Sequence, residues 1–165
     1  MSDNQVQKQK LRTAKQSVSF AITEVLEVGK ILKKLMEVLD NHISTNIIKI
    51  KNQQAQDNKV DVDLSGYEIG RINGALRDYL TLRIANIVDD HSAASSLKKI
   101  NGVDLNCIRK IPQIKQILDA RYNWIGHINS RFIGPIDGKL LYSKEITDLL
   151  ELIQVLICIG GIKEI

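Results

Sequence analysis

Hydrophobic residues recur every three to four positions along most of this chain, the spacing that gives an α-helix one buried face. The pattern predicts a long amphipathic helix over residues 5–39 and a second helix that begins around Ser65 to Glu68 and ends near Asp89. Ser143 is a candidate cap for a last helix, whose apolar positions run to Ile157. Helical periodicity over so much of the chain predicts an all-α bundle of four or five main helices in an up-and-down arrangement with short connections.

Shorter elements are predicted between the main helices. Residues 93–100 have the pattern of a short helical turn, and Asp104 is a candidate cap for a short helix that runs to Lys110. Pro112 suits the first turn of a further helix, which is predicted to end before Gly134. Asp137 and Gly138 together indicate a turn.

The segment from Asn41 to Asp63 has the least regular pattern. Ile43, Ile47 and Ile50 keep helical spacing, whereas residues 52–58 are almost entirely polar. We therefore expect a helix that runs into a mobile loop. An alternating, strand-like pattern is found only at residues 60–64.

Length and composition favour one ordinary globular domain. The 165 residues are enough to bury a core, and the hydrophobic and charged fractions of 44% and 25% are typical of water-soluble proteins. We expect a single helical domain, with the long helix and the uncertain segment in residues 1–66 and the rest of the bundle in residues 67–165. The net charge of +4 allows a nucleic-acid partner without requiring one.

Cysteine usage and apolar runs favour a cytoplasmic location. Cys107 and Cys158 lie far apart in apolar runs and match no metal-ligand spacing, so we expect both to be reduced and buried. The first residues lack the apolar segment of a signal peptide. The longest apolar run, residues 152–161, is too short to span a bilayer, so no membrane partner is expected.

The candidate chemistry centres on Arg121. On a helical wheel drawn from Ile114, this arginine falls near the centre of an apolar stripe that includes Ile117, Leu118, Ile125, Ile128 and Phe132. A guanidinium on such a stripe needs anionic or polar company, since an unpaired buried charge costs several kcal/mol. His127 lies about 120° away on the polar side of the same helix, one turn beyond Asn123. The pattern predicts a phosphate or carboxylate partner near Arg121, with an imidazole within reach.

Other candidate sites are weaker. Asp89, Asp90 and His91 contain three metal-binding residue types, but three contiguous residues rarely surround one ion. His42 follows a probable helix end, where a histidine commonly interacts with the helix dipole. The sequence has no glycine-rich phosphate loop, zinc-binding helix or nucleophile elbow. We expect neither a metal nor another cofactor.

The spacing Arg121-x5-His127, late in an all-α chain, resembles the Arg-x4–6-His motif of the HEPN superfamily (higher eukaryotes and prokaryotes nucleotide-binding). The resemblance extends beyond the motif. Residues 76–90 and 94–100 are similar to the middle helix and the Ser-Leu turn of the abortive-infection-type branch, and residues 142–157 fit its last helix. Together these segments span roughly residues 68–158.

This resemblance implies a HEPN-like bundle and a metal-independent endoribonuclease. In that reaction the RNA 2′-hydroxyl attacks the adjacent phosphate and leaves a cyclic phosphate. His127 is then the acid/base, Arg121 stabilises the transition state and Asn123 positions either one. Lys115 and Arg131 are the candidate RNA-binding residues. A homodimer with a composite site would supply a second histidine, and a toxin or phage-defence context implies an antitoxin or regulatory protein as a further partner.

Two alternatives remain open at this point. In the first, the chain is a non-catalytic HEPN-type module that binds nucleotide, RNA or a protein. Tyr122 favours this alternative, because many active members have Asn, Asp or His directly after the arginine. In the second, the chain is a structural or regulatory bundle in which Arg121 pairs with a carboxylate of a neighbouring helix, such as Asp78 or Glu151.

Overall fold

A computed structural model describes residues 3–41, 47–51, 61–91, 96–100, 103–125 and 136–158, and side chains within 14–39, 68–91, 96–100, 103–123 and 136–158. The first helix, α1 (Asp3–Asn41), is the long amphipathic helix that the sequence predicts. Its buried residues follow helical spacing along one side: Ala14, Val18, Ile22, Val25 and Leu32. This apolar side packs against the helices that follow, so the continuous stripe in the sequence becomes one wall of the core.

A two-stranded antiparallel sheet follows α1. Strand β1 (Ile47–Lys51) pairs with β2 (Asp61–Ser65), and the register sets Ile48 opposite Leu64 and Lys49 opposite Asp63. The predicted helical continuation through Ile47 and Ile50 is therefore wrong. Alternating Ile and Lys positions in β1 match alternating Asp and apolar positions in β2, and this period of two is the signal of a strand pair.

Helix α2 (Gly66–Ile87) begins and ends as its periodicity predicts. Ile69, Leu80, Ile84 and Ile87 are buried, and the helix packs against α1. The chain then passes Asp89, Asp90 and His91 and reaches a short 3-10 helix (Leu97–Lys99) within the predicted helical turn.

The described residues in the second half of the chain form four more α-helices. They are α3 (Leu105–Arg109), α4 (Pro112–Ala120), α5 (Gly138–Leu141) and α6 (Lys144–Cys158). The predicted caps are confirmed: the carboxylate of Asp104 accepts the amide of Cys107 at 3.0 Å, and the hydroxyl of Ser143 accepts the amide of Ile146 at 3.4 Å. The predicted continuation of the Pro112 helix towards Gly134 lies outside the described residues beyond Ile125.

The predicted turn at Asp137 and Gly138 is instead the start of α5. The carboxylate of Asp137 accepts the amide of Lys139 at 2.9 Å, which is an N-cap contact. Gly138 is buried, and a Cβ atom there would lie 3.1 Å from Cδ of Arg77. The missing side chain thus lets the start of α5 approach α2 closely.

Within the described ranges, four main helices enclose one core, which confirms the predicted all-α bundle: α1, α2, α4 and α6. Helix α1 packs against α2 and α6, and α4 packs against the same two helices. Their buried side chains form one cluster with Leu97, Ile100 and Leu141 from the connections. None of the described helices combines the length and apolarity needed to cross a membrane.

The burial expected for the two cysteines is wrong. Cys107 on α3 and Cys158 at the end of α6 are free and exposed. Both lie beside apolar residues in the sequence, but on the outer sides of their helices. The Sγ of Cys107 donates to the carboxylate of Asp104 at 3.0 Å, and this hydrogen bond, with the charge of Asp104, raises the pKa of the thiol.

Candidate functional site

Arg121 lies where α4 changes into a π-helical turn formed by Arg121–Ile125. Its backbone N–H donates to the carbonyls of both Ile117 and Leu118. Such turns are rare inside helices and are frequent at functional sites, because the wider winding shifts side chains away from the regular helical spacing. The residue singled out by the sequence therefore lies at a local irregularity of the backbone.

The π-helical turn limits how far the helical wheel applies. Up to Ala120 the predicted apolar stripe is correct, since Ile114, Ile117 and Leu118 are buried. From Arg121 onward the winding no longer follows 100° per residue, so the wheel does not place later residues. The side chains predicted to continue the stripe lie outside the described ones: Ile125, Ile128 and Phe132.

The guanidinium of Arg121 is paired with Asp89. Nη1 donates to Oδ2 of Asp89 at 2.8 Å, and the side chains are 24% and 9% exposed, respectively. The anionic partner expected for Arg121 is thus a carboxylate of the same chain. The partner is neither Asp78 nor Glu151, the two carboxylates considered from the sequence. Arg121 lies at the edge of the core with part of its side chain in contact with solvent.

Asp89 belongs to a cluster of polar contacts just beyond the carboxyl end of α2, which we call the Asp89 cluster. It consists of Val88, Asp89, Asp90, His91, Ser96, Lys98, Arg109 and Arg121. Three consecutive carbonyls in it accept side-chain donors. Arg109 Nη1 donates to Val88 at 2.9 Å, the buried Ser96 hydroxyl to Asp89 at 2.5 Å, and Lys98 Nζ to Asp90. These carbonyls lie just past the last residue of α2, where no helical N–H reaches them, so the donors satisfy groups that would otherwise need water.

The charges in the Asp89 cluster explain why two acidic residues are tolerated there. The carboxyl end of a helix carries a partial negative charge, which disfavours Asp89 and Asp90. Arg121 pairs with the first carboxylate, and Arg109 Nη2 lies 3.4 Å from Oδ2 of the second. Cations from two later elements therefore offset the charge that accumulates at the end of α2.

The same contacts shift the pKa of Asp89. Burial alone would raise it, but the backbone amide of His91, at 2.8 Å from Oδ1, and the guanidinium of Arg121 together outweigh burial and lower the pKa. Asp89 is therefore a carboxylate at neutral pH, which keeps its attraction for Arg121.

The remaining predicted site residues fall into two groups. Asn123 lies in the π-helical turn, and its side-chain amide donates to the carbonyl of Asp119 at 2.9 Å, a contact within its own helix. Lys115 is exposed on α4. Arg121 and Asn123 thus share the same turn, whereas His127 and Arg131 lie outside the described residues and stay predictions.

No group of three or more His, Cys, Asp and Glu side chains in the described part of the chain is arranged to hold a metal ion. In the Asp89-Asp90-His91 run, Asp89 accepts from Arg121 and from the amide of His91, and Asp90 lies beside Arg109. The acidic side chains of this run are thus engaged with cations and a backbone amide of the protein itself.

A groove of about 290 Å³ lies elsewhere, between α1 and the pair α5–α6. Its lining includes Gly29, Lys33, Tyr142 and Glu151. Cationic and acidic side chains both line it, and Arg121 is absent from its walls. The groove and the predicted chemistry therefore belong to different parts of the molecule.

Sequence reasoning missed Asp89 as the partner of Arg121. The two residues are 32 positions apart, and no local pattern connects them. A usable signal did exist, since two acidic residues at the predicted end of α2 oppose the helix dipole and call for cations nearby. That signal points to a cationic neighbour without saying which arginine or lysine supplies it.

Comparison of the chain with known protein families, with characterised proteins and with solved structures finds no match. The functional argument therefore depends on the residues and their geometry.

Proposed function

We propose that this protein is a metal-independent endoribonuclease of the HEPN type, in which Arg121 binds the scissile phosphate and His127 transfers protons. The observation that carries the proposal is the state of Arg121. Its guanidinium is fixed by Asp89 at 2.8 Å while about a quarter of its side chain remains exposed. An oriented, partly exposed guanidinium is well suited to a phosphate, because its forked donors match two phosphate oxygens.

The pairing with Asp89 leaves this role open to Arg121. A guanidinium has five N–H donors, and the contact with Asp89 is made through one of its nitrogens. In the proposed reaction the 2′-hydroxyl of RNA attacks the neighbouring phosphorus, and negative charge builds up on the non-bridging oxygens. A cation that is already oriented stabilises this charge without having to reorganise during the reaction.

His127 is the proposed proton carrier, because histidine titrates near neutral pH. One proton must leave the attacking 2′-hydroxyl and one must reach the departing 5′-oxygen, so two proton carriers are useful. We propose that a second copy of the chain supplies the second histidine, with Lys115 and Arg131 of each copy contacting the RNA backbone. Asn123 follows Arg121 in the same turn and is proposed to support its position.

The test is RNA cleavage in the presence of EDTA by the wild type and by His127→Ala, with His42→Ala as the matched histidine control. We expect products with 2′,3′-cyclic phosphate and 5′-hydroxyl ends from the wild type and from His42→Ala, and none from His127→Ala. Circular dichroism should be the same for all three proteins. Equal cleavage by His127→Ala would contradict the proposal.

A second candidate is a structural or regulatory helical bundle in which Arg121 makes a structural ion pair. The observation in its favour is that Asp89, which is nearly buried, neutralises Arg121 as it would in a structural ion pair. In this case a well-folded wild type cleaves no RNA over a broad panel of substrates. Arg121→Ala then lowers the free energy of unfolding, whereas His127→Ala leaves the free energy of unfolding unchanged.

A further inference from the structure

Tyr122 exposes an aromatic ring directly beside Arg121. Its residue is 47% exposed, whereas the other two tyrosines with described side chains, Tyr79 and Tyr142, are half-buried. An exposed aromatic ring gains little in folding stability and keeps its apolar face available to a ligand.

The ring of Tyr122 contacts Arg121, the proposed phosphate-binding residue. The central carbon of the Arg121 guanidinium lies 5.7 Å from the centre of the ring, within the range of a cation–π contact. Since Asp89 fixes the guanidinium at 2.8 Å, the ring has a fixed cation as its neighbour. The structure thus places a flat aromatic surface and an oriented positive charge side by side.

The charges around the pair limit what it can bind. Asp119 is exposed on α4, one turn before Tyr122, and Asp89 pairs with Arg121, so both carboxylates disfavour an anion near them. An anionic group beside the ring is therefore best accommodated by the N–H donors of Arg121 that the contact with Asp89 does not use. A ligand that fits must have an anion and a planar ring a short distance apart.

We propose that Tyr122 stacks against an unpaired base of the RNA whose phosphate is bound by Arg121. This inference rests on the proposed function, in that it takes Arg121 to bind an RNA phosphate. A nucleotide has both of the required groups, a planar base and a phosphate. Bases within a duplex already stack on each other, so only an unpaired base can leave the stack and lie on the tyrosine ring.

The experiment measures RNA binding in a His127→Ala background, so that cleavage does not consume the ligand. The probes are a short single-stranded RNA oligonucleotide, with 2-aminopurine at one position in turn, and the duplex of the same sequence. The variants are Tyr122→Ala, Tyr122→Phe and, as a control for loss of an exposed ring, Phe20→Ala on α1. Fluorescence anisotropy reports affinity, and quenching of 2-aminopurine reports stacking.

We expect Tyr122→Ala to bind the single strand about tenfold more weakly, to lose the quenching and to leave duplex binding unchanged. Tyr122→Phe keeps a ring and should keep both affinity and quenching. Phe20→Ala should behave as the parent protein. Unchanged affinity of Tyr122→Ala for the single strand would overturn the inference. Weaker binding would also overturn it if light scattering shows a change in molecular mass, because the ring is then a contact between copies of the chain.

The outcomes also separate this inference from the proposed cleavage. RNA binding that depends on Tyr122, in a protein that cleaves nothing, supports the inference and contradicts the nuclease. Cleavage that depends on His127 but proceeds equally well in Tyr122→Ala supports the nuclease and overturns the inference.

Discussion

Two arginine–carboxylate pairs in this molecule have the same chemistry in different surroundings. Arg83 on α2 pairs with Glu24 on α1, and their side chains are 35% and 28% exposed. Arg121 pairs with Asp89, whose side chain is only 9% exposed. Water competes for the first pair at both ends, but it hardly reaches the carboxylate of the second. Removal of one partner should therefore lower the free energy of unfolding more for the Arg121–Asp89 pair than for the Arg83–Glu24 pair.

The two pairs also differ in what supports them. Arg83 Nε donates to the hydroxyl of Tyr79 at 3.1 Å. The pKa of Glu24 is lowered mainly by a hydrogen bond with Tyr79 and less by Arg83, and these effects outweigh partial burial, which raises it. That network joins two long helices along their sides. The Asp89 cluster joins the end of one helix to three later elements. The first pair adds to a helix contact that apolar packing already secures, whereas the second holds irregular backbone in place.

Removing the carboxylate from each pair should give the largest difference between the two pairs in the free energy of unfolding. Asp89→Ala leaves Arg121 without its partner and the amide of His91 without its acceptor. We expect the free energy of unfolding to fall by about 2–3 kcal/mol, less than for a fully buried pair because Arg121 reaches solvent. Glu24→Ala should cost clearly less. Urea unfolding followed by circular dichroism measures both, and equal losses would remove the distinction between the pairs.

Loss of the Ser96 hydroxyl tests whether the carbonyl contacts matter as well as the ion pair. Ser96 is buried, and its hydroxyl donates to the carbonyl of Asp89 at 2.5 Å. Ser96→Ala should cost about 1–2 kcal/mol, because it leaves a buried acceptor without a donor. Thr23→Ala removes an exposed hydroxyl that donates to the carbonyl of Ser19 and is the matched control. A negligible effect of Ser96→Ala would mean that this carbonyl contact adds little to the stability that the other contacts of the Asp89 cluster provide.

Double-mutant cycles compare the pairs directly. The cycle of Asp89→Asn with Arg121→Gln should give a coupling energy of about 1 kcal/mol that changes little between 0.1 and 1 M salt. The cycle of Glu24→Gln with Arg83→Gln should give a smaller value that falls as salt is added. The comparison fails if both coupling energies fall in parallel.

Acid should weaken the Arg121–Asp89 pair over a defined range of pH. The pKa of Asp89 is lowered in the folded protein, so its contribution is fully present above the unfolded value of about 3.9 and is lost as the pH falls through the folded value. The stability difference between the wild type and Asp89→Asn should therefore be constant above about pH 5 and shrink below about pH 4. Unfolding curves at pH 7, 5 and 3 measure it, and a difference that grows on acidification would reverse the sign we infer.

Local periodicity predicts most of the fold and little of the site. The boundaries of α1, α2 and α6 follow from apolar spacing and from caps such as Ser143, because these signals act within a few residues. The strand β1 was missed because Ile47 and Ile50 have helical spacing, and the alternation of Ile and Lys over residues 48–51 is too short to decide without its partner strand. Register depends on β2, which begins ten residues after β1 ends.

The position of Arg121 was predictable, but its surroundings were not. Its place on an apolar stripe singled it out, and Ile114 and Ile117 are buried as that stripe requires. Its pairing with Asp89 depends on how α2 and α4 pack, which no single helix pattern contains. The change to π-helical winding was equally invisible, since Arg121–Ile125 has no proline or glycine to mark it.

The π-helical turn also constrains how this chain can change in length. A turn that closes over one more residue than an α-helical turn can accommodate a one-residue deletion by reverting to regular helix, with the hydrogen-bond ladder preserved. The wide turn already holds the extra residue, so its removal leaves the buried residues of α4 in place and requires no rotation of the flanking helix. Deletion of Asn123 should therefore leave the packing of α4 intact and change which side chains follow Arg121 in the turn. A change of length at this turn alters the side chains next to Arg121 and has a much smaller effect on the free energy of unfolding.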